Sequence, residues 1–254
     1  SYKDILFGSG AFNNLFAIVG NFRCNNGEFC LQFRPISFCN NQWSFVQCKQ
    51  ATISPEKQGK FGFGDTWTWV AIDADTRLVV SWLVGLRNAE CATAFIQDLK
   101  SRLANKIQLT SDGHRLYLDA VENAFGSEID YAMLIKLYGK EPEAEKRYSP
   151  AECIGIEKHI IQGKPDADLI STSYIERQNL TMRMSMRRFT RLTNGFSKKI
   201  ENHQYAVALY YIYYNFCKIH QSLTPKNSIG VTPAMASGLT NRIWTIEDII
   251  KLIE

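Results

Sequence analysis

Two acidic residues stand at positions where a carboxylate could take part in catalysis. Asp112 follows a short apolar strand predicted over 106–110 and precedes Gly113, which allows the chain to turn sharply. In open α/β sheets, ligands bind at the carboxyl ends of the strands. An alternative interpretation is that Asp112 only caps the following helix, which aspartate does well. The pattern leaves both interpretations open.

Glu176 lies in the first turns of a long helix that the sequence predicts over 173–190. At about 100° per residue, Arg183 and Arg187 fall within about 20° of Glu176 around the helix axis. One stripe of this helix is thus expected to carry a carboxylate at its start and two guanidinium groups further along. A solvated face with one acidic residue near the helix N-terminus is the simpler alternative.

The segment 174–203 is strongly basic, because seven Arg or Lys residues stand there against two acidic residues, Glu176 and Glu201. Such a run indicates either an ordinary solvated surface or one that contacts phosphates. Its start at a candidate catalytic carboxylate favours DNA as the partner. The residues predicted to bind DNA are Arg177, Arg183, Arg187, Arg188, Arg191, Lys198 and Lys199.

Two carboxylates brought together would suit catalysis by divalent metal ions. Two Mg²⁺ or Mn²⁺ ions about 3.5–4 Å apart can activate the attacking oxygen and stabilise the leaving oxygen during displacement at phosphorus. Mg²⁺ prefers oxygen ligands, and the scattered histidines do not suggest an imidazole site. These histidines are interpreted as surface or hydrogen-bonded structural residues: His114, His159, His203 and His220.

The elements that must position these residues follow a recognisable order. The first three strands form an antiparallel meander, and helices and strands then alternate. This is the order of an RNase H-like mixed sheet in the α/β class, although other α/β folds share it. The predicted strands cover 43–48, 66–72, 77–83, 106–110 and 129–137, and the predicted helices cover 88–105 and 116–125.

The remainder of the chain is expected to be mainly helical. Charged residues with Pro and Gly breaks predict an irregular connection over 138–170. Helices are predicted over 173–190 and 203–219, with a short amphipathic helix at the end that carries Ile246, Ile249, Ile250 and Ile253. The aromatic cluster 210–214 is assigned mainly to the core rather than to base stacking, because contiguous aromatic residues point all around a helix.

Composition is that of an ordinary globular protein. The 254 residues are 45% hydrophobic and 21% charged, which argues against disorder, and the net charge of +4 is too small to indicate nucleic-acid binding by itself. Seven cysteines, an odd number without paired zinc-type spacing, are interpreted as mostly free thiols in a reducing compartment. No apolar run near the start approaches a membrane span, so the protein is expected to be soluble, intracellular and without a membrane partner.

Several segments, in order along most of 43–242, resemble transposases of the insertion-sequence-1 type. LTSDG alone would carry no weight, but the collinear set is specific. The segments are WTWVAIDADTRLVVSWLVGLR (67–87), LTSDG (109–113), YIERQNLTMRMSMRRFTRLTNGFSKK (174–199), YYNFCKIHQSL (213–223) and VTPAMASGLTNR (231–242).

This resemblance implies an RNase H-like catalytic core over 40–200, preceded by a segment of unassigned role over 1–39 and followed by a helical extension over 201–254 that packs on the core. Transposases of this type use an Asp, Asp, Glu triad with Mg²⁺ or Mn²⁺ to cut DNA at transposon ends and join it to target DNA. The resemblance therefore implies DNA as partner, a homo-oligomer on DNA and, in a bacterium, a cytoplasmic, nucleoid-associated protein. Asp112 matches the second carboxylate and Glu176 the third.

The match is broken at the first carboxylate. The type carries a pattern like Cys-Asp-Glu-x-Trp before the first strand, whereas this chain has Cys39, Asn40, Asn41, Gln42 and Trp43. An amide oxygen can coordinate a metal ion, but it brings no negative charge and cannot bridge two ions.

Asp73 or Asp75 is an alternative ligand, because antiparallel pairing of 40–48 with 66–74 would bring the end of the second strand beside Asn40. Ordinary turn chemistry is the favoured interpretation of Asp73 and Asp75. Two other functions stay open for the whole chain: a catalytically inactive or domesticated DNA-binding relative, and a related nuclease of the same fold.

Overall fold

The computed structural model describes residues 35–38, 42–139, 153–190, 194–226 and 228–251, with the backbone alone for 35–38. These residues form a mixed α/β fold built on one sheet. Its strands are β1 Pro35–Phe38, β2 Gln42–Val46, β3 Gly64–Asp73, β4 Val79–Gly85, β5 Ile107–Ser111, β6 Ile129–Tyr138 and β7 Cys153–Gln162. Its helices are α1 Ala89–Ser101, α2 Leu116–Phe125, α3 Ser173–Ser185, α4 Ile200–Ile212, α5 Pro233–Ala236 and α6 Ile246–Ile250.

One half of the sheet is the antiparallel meander that the sequence predicts. β3 pairs with β2 on one side, where Trp43 lies opposite Trp67, and with β4 on the other, where Val70 lies opposite Trp82. Trp69 is fully buried in the middle of β3. The β-branched and aromatic residues of these strands thus pack on a sheet, as their composition favours.

The other half is mixed. β1 lies between β3 and β5, antiparallel to β3 and parallel to β5, and β5 is parallel to β6. α1 and α2 supply the long connections that parallel strands require. β1 falls in a segment to which the sequence pattern assigned no element, because four residues are too few to show a period.

The prediction of an irregular connection over 138–170 is wrong in part, because β7 pairs antiparallel with β6 along its whole length. Both faces of β7 are largely exposed, and Ile154 and Ile160 remain 69% and 60% exposed. A strand without a buried face shows no alternation of apolar and polar residues, so the pattern could not reveal it. Residues 140–152 of the same connection lie outside the described ranges.

Helices cover both faces of the sheet. On one face, the Ser81 hydroxyl donates to Asp98 of α1 at 2.6 Å, and Trp69 packs edge-on against Tyr117 of α2. On the other face, Trp82 packs against Tyr211 of α4, with ring centroids 5.2 Å apart. The buried side chains of α1, α2, α3 and α4 belong to one continuous hydrophobic cluster with the strands.

Two helix boundaries differ from the sequence prediction. α3 ends at Ser185, because Met186 adopts an extended conformation (φ −121°, ψ 111°), and Arg187 lies in a separate 3₁₀ turn. The stripe predicted from Glu176 through Arg187 is therefore wrong at Arg187. α4 begins three residues earlier than predicted and continues into a π-helical turn, Tyr213–Cys217.

The aromatic cluster on α4 is confirmed as core. Tyr210, Tyr211 and Tyr214 are buried, and Tyr213 alone of the cluster is substantially exposed, at 42%. Asn88 is the N-cap of α1, since its side chain accepts from the Cys91 amide at 3.0 Å. Within the described ranges, no helix combines the length and apolar character that crossing a membrane would require.

Candidate functional site

Asp112 directly follows β5, at the edge of the sheet where the parallel strands β5 and β6 end. Alternate residues of a strand point to the same face. When this alternation is continued one residue past Ser111, the last residue of β5, the side chain of Asp112 lies on the same face as those of Gln108 and Thr110. Gln108 exchanges hydrogen bonds with the backbone of Asp166, in the segment that leads into α3. The side chain of Asp112 is therefore placed on the face of the sheet that α3 covers.

The turn after Asp112 is tightly packed. Asp112 Oδ1 accepts from the His114 amide at 3.1 Å, and α2 begins only after Arg115, so Asp112 shapes the turn and is not the N-cap of α2. A Cβ on Gly113 would lie 3.0 Å from Ile135 of β6. Glycine suits this position, because a Cβ would crowd the Ile135 side chain.

Glu176 reaches the same edge from α3. Lys136, near the end of β6, donates to the Glu176 carboxylate at 2.6 Å, and the Thr172 hydroxyl donates to it at 2.8 Å. Lys136 shares a face of β6 with Leu134, which is next to Asp112 when the β5–β6 register is continued by one residue. Asp112, Lys136 and Glu176 thus share one edge and one face of the sheet.

Lys136 was not among the residues predicted from the sequence. A signal existed, because Lys136 interrupts the otherwise apolar run Tyr131 to Leu137. Its ammonium group neutralises Glu176, and both side chains are about one-third exposed. Among the described residues, no three His, Cys, Asp or Glu side chains come together as a possible metal site. Asn40, the position of the expected first carboxylate, lies outside the described ranges.

Asp73 does not join this edge. It pairs with Ile36, and Ile36 pairs with Leu109, so the register that would have brought Asp73 beside Asn40 is wrong. Two strand spacings and three residues of rise separate Asp73 from Asp112, about 14 Å between Cα atoms. Asp73 instead shapes the β3–β4 turn, where Oδ2 accepts from the Thr76 amide at 2.8 Å. Burial raises the pKa of Asp73 although Thr76 stabilises its charge.

The predicted DNA-binding residues lie in different surroundings, because Arg177 lines a groove whereas the others that the structure describes lie near the end of α3 and the start of α4. Arg183 donates to Gln42 of β2 at 3.1 Å, and Arg188 donates to Ser197 at 2.6 Å, so both take part in internal hydrogen bonds. Arg187 is exposed in the 3₁₀ turn. Lys198 lies over the ring of Phe196 at 4.0 Å and, like Lys199, is exposed at the start of α4. Arg191 lies outside the described residues.

His203 holds this region together, as expected of a structural histidine. Its two ring nitrogens lie 3.2 Å from the hydroxyls of Ser44 and Ser197, which ties α4 to β2 and to the segment after α3. Burial, with a smaller contribution from Arg188, lowers the pKa of His203 to about 4. The ring is therefore neutral at pH 7 and serves the fold rather than a phosphate.

Arg177 faces a different neighbourhood from Glu176. It lines a groove of about 620 Å³ between α3, the β3–β4 turn and the segment after α4. The groove also contains Arg77, Lys218 and His220, which were not predicted from the sequence. They are far from Arg177 along the chain and belong to no basic run, so no local pattern indicates them.

Comparison with known proteins adds no relationship, since no family model and no curated protein sequence matches this chain.

Proposed function

We propose that this chain is the DNA-processing domain of a transposase of the Asp, Asp, Glu type with an RNase H-like sheet. The observation that carries the proposal is that Asp112 and Glu176, which are 64 residues apart in sequence, share one edge and one face of the sheet. The sheet topology supports it, because the antiparallel meander of β2, β3 and β4 precedes the alternating helices and strands. The collinear resemblance to insertion-sequence-1 transposases gives the substrate class.

Asp112 and Glu176 would hold the metal ion. Their carboxylate oxygens fit one hard divalent cation, such as Mg²⁺ or Mn²⁺. The two carboxylates do not by themselves fit two metal ions. The Lys136 ammonium group already neutralises Glu176, and the described residues add no third acid. When bound, such an ion polarises a phosphodiester and favours attack by water or a hydroxyl group.

The protein's own residues supply positioning. The Gly113 turn fixes Asp112 at the strand end, and Thr172 and Lys136 fix the rotamer of Glu176. A carboxylate held in place loses little conformational entropy when it binds a ligand. Arg177 stands one residue beyond Glu176, so a phosphate backbone bound by Arg177 lies close to the carboxylate edge.

A DNA-binding relative without catalysis is the second candidate. Two observations favour it: Asn40 replaces the first acid in the matching motif, and Lys136 already compensates the charge of Glu176. This candidate binds DNA in a salt-dependent manner, and its affinity is insensitive to divalent cations beyond their screening effect.

Nicking of supercoiled plasmid in Mn²⁺ or Mg²⁺ separates the two candidates. The natural chain is compared with an Asn40→Asp/Asn41→Glu variant, each with and without Glu176→Gln. Nicking that Glu176→Gln removes supports a transposase site. Nicking that appears only in the Asn40→Asp/Asn41→Glu variant identifies an inactivated member. Absence of nicking in every protein counts against the assignment of Asp112 and Glu176 as catalytic ligands.

A further inference from the structure

The groove beside Arg177 has the composition of an anion site. One wall is the side of α3 that carries Tyr174, Arg177 and Gln178, and the facing wall carries Arg77 and Lys218. Its full lining is Ile72, Arg77, Ser173, Tyr174, Arg177, Gln178, Thr181, Tyr214, Lys218, Ile219, His220, Gln221 and Ser222. Basic and hydroxyl side chains without any acidic residue indicate an anionic ligand.

Arg77 is held in the groove at a cost in backbone energy. Its φ is +61°, a left-handed conformation that glycine or asparagine adopts more readily. Its guanidinium carbon lies 3.9 Å from the centroid of the Tyr174 ring, and Nη1 donates to the Ala74 carbonyl. A strained residue whose side chain is fixed in a groove points to a role for that side chain.

The positive charges in the groove are not balanced within the described part of the chain. Arg77, Arg177 and Lys218 form no ion pair there, and the groove places them around one space. Asn215 fixes the far wall, because its side chain accepts from and donates to the backbone of Val79 at 3.0 Å each. The three cations thus line one groove without an ion-pair partner among the described residues.

Gln178 contributes a buried polar side chain to the groove wall. It is 2% exposed on the groove wall, and its carboxamide oxygen has no hydrogen-bond partner among the described residues. A buried acceptor without a partner is costly, so an ordered water or a ligand group normally satisfies it.

We propose that this groove binds the phosphodiester backbone of a single DNA strand through Arg77, Arg177 and Lys218. The volume of the groove is that of a small-molecule site, which suits a few nucleotides and not a duplex. Basic grooves with aromatic side chains are the usual means of holding single strands. The inference rests on the proposed function, and it specifies that the DNA bound near Glu176 is single-stranded.

Fluorescence anisotropy with a labelled 12-nucleotide single strand and the matching duplex tests the groove. The variant Arg77→Gly/Lys218→Ala removes two groove charges and keeps the left-handed backbone at residue 77, where glycine is unstrained. The variant Lys49→Ala/Lys60→Ala removes two exposed charges outside the groove and serves as the matched control. A second test variant, Arg177→Ala/Lys218→Ala, leaves residue 77 unchanged in case Arg77→Gly disturbs the turn.

Both groove variants are expected to bind the single strand at least about tenfold more weakly than the control variant. The slope of log affinity against log salt should fall by about 1.4, since each lost phosphate contact on a single strand contributes about 0.7. The duplex should lose less affinity than the single strand. Groove variants that match the control, or lose duplex affinity to the same extent, overturn this inference. If the natural chain binds neither DNA, the proposed function itself fails.

Discussion

α3 presents a carboxylate on one side and a guanidinium group on another, from the consecutive residues Glu176 and Arg177. Glu176 points to the end of β6 and meets Lys136, whereas Arg177 points into the groove with Arg77 and Lys218. Consecutive residues on a helix are about 100° apart, so one turn can serve two sites. The basic run of the sequence is therefore divided between two surroundings, because Arg177 lines the groove and Arg183 and Arg188 make hydrogen bonds to Gln42 and Ser197.

The largest expected effect comes from the carboxylate side. Asp112→Asn/Glu176→Gln, in whichever background nicks plasmid, should lower nicking at least about 100-fold because both proposed metal ligands lose their charge. DNA affinity in the absence of divalent cations should stay within about twofold of the parent. A comparable loss of affinity would show that the two sides of α3 do not act separately.

Arg177→Ala should have the opposite pattern. It is expected to weaken single-strand binding about threefold to tenfold through the loss of one phosphate contact. Nicking at saturating protein should remain near the parent rate, because the carboxylate edge is intact. Lys60→Ala is the control, since Lys60 is exposed outside the groove and is not among the predicted DNA-binding residues. Equal losses for the two substitutions would contradict the special position of Arg177.

Lys136→Met should strengthen metal binding by Asp112 and Glu176 without changing single-strand binding in the groove. Removing the ammonium group frees Glu176 from a competing cation, so affinity for Mn²⁺ measured by calorimetry should rise about tenfold, or roughly 1.4 kcal/mol. Lys106→Met is the matched control, because Lys106 pairs with Asp130 at the other end of the same sheet face. Unchanged or weaker Mn²⁺ binding in Lys136→Met would mean that the ion does not share Glu176 with Lys136.

The smallest expected effect is a pH dependence of single-strand binding in the groove, through His220. Burial, followed by Arg77 and Lys218, lowers the pKa of His220, so the ring is neutral at pH 7. It gains a proton only as the pH falls below the ordinary histidine value of about 6.5. Single-strand affinity should therefore rise severalfold as the pH falls below that value, and His220→Gln should lose this increase.

Folding must be measured over the same pH range, because stability also depends on pH through His203. The pKa of His203 is about 4 in the folded chain, whereas an unfolded histidine titrates near 6.5. The unfolded state then binds more protons between these values, so stability is complete above about pH 6.5 and falls as the pH approaches 4. Thermal unfolding at each pH separates a loss of fold from a change in binding, and equal pH profiles for His220→Gln and the natural chain would rule out His220.

Much of the fold could be predicted because its elements have strong periods. α2 was placed correctly at both ends, and the strands of the meander were placed within a few residues, since each has a buried face. β1 and β7 escaped detection for different reasons: β1 is short, and β7 buries neither face. The early end of α3 could not be predicted either, because nothing in the sequence around Met186 marks a break.

The candidate site was predictable only where residues are local. Asp112 before Gly113 and Glu176 at a helix start were visible as patterns, and the structure brings them to one edge. Lys136 and the groove depend on pairing between distant segments, which no local pattern encodes. Asp73 was predicted as a ligand from an assumed strand pairing. The observed register pairs it with Ile36 instead, so it lies away from the predicted site.

The most direct test of the account is Mn²⁺-dependent plasmid nicking by the Asn40→Asp/Asn41→Glu variant, with and without Glu176→Gln, at a protein concentration that saturates the DNA. The account predicts nicking that falls at least about 100-fold when Glu176 becomes Gln, while DNA binding is retained. Nicking that persists in the Glu176→Gln protein, or none in either protein despite DNA binding, would contradict a catalytic edge formed by Asp112 and Glu176.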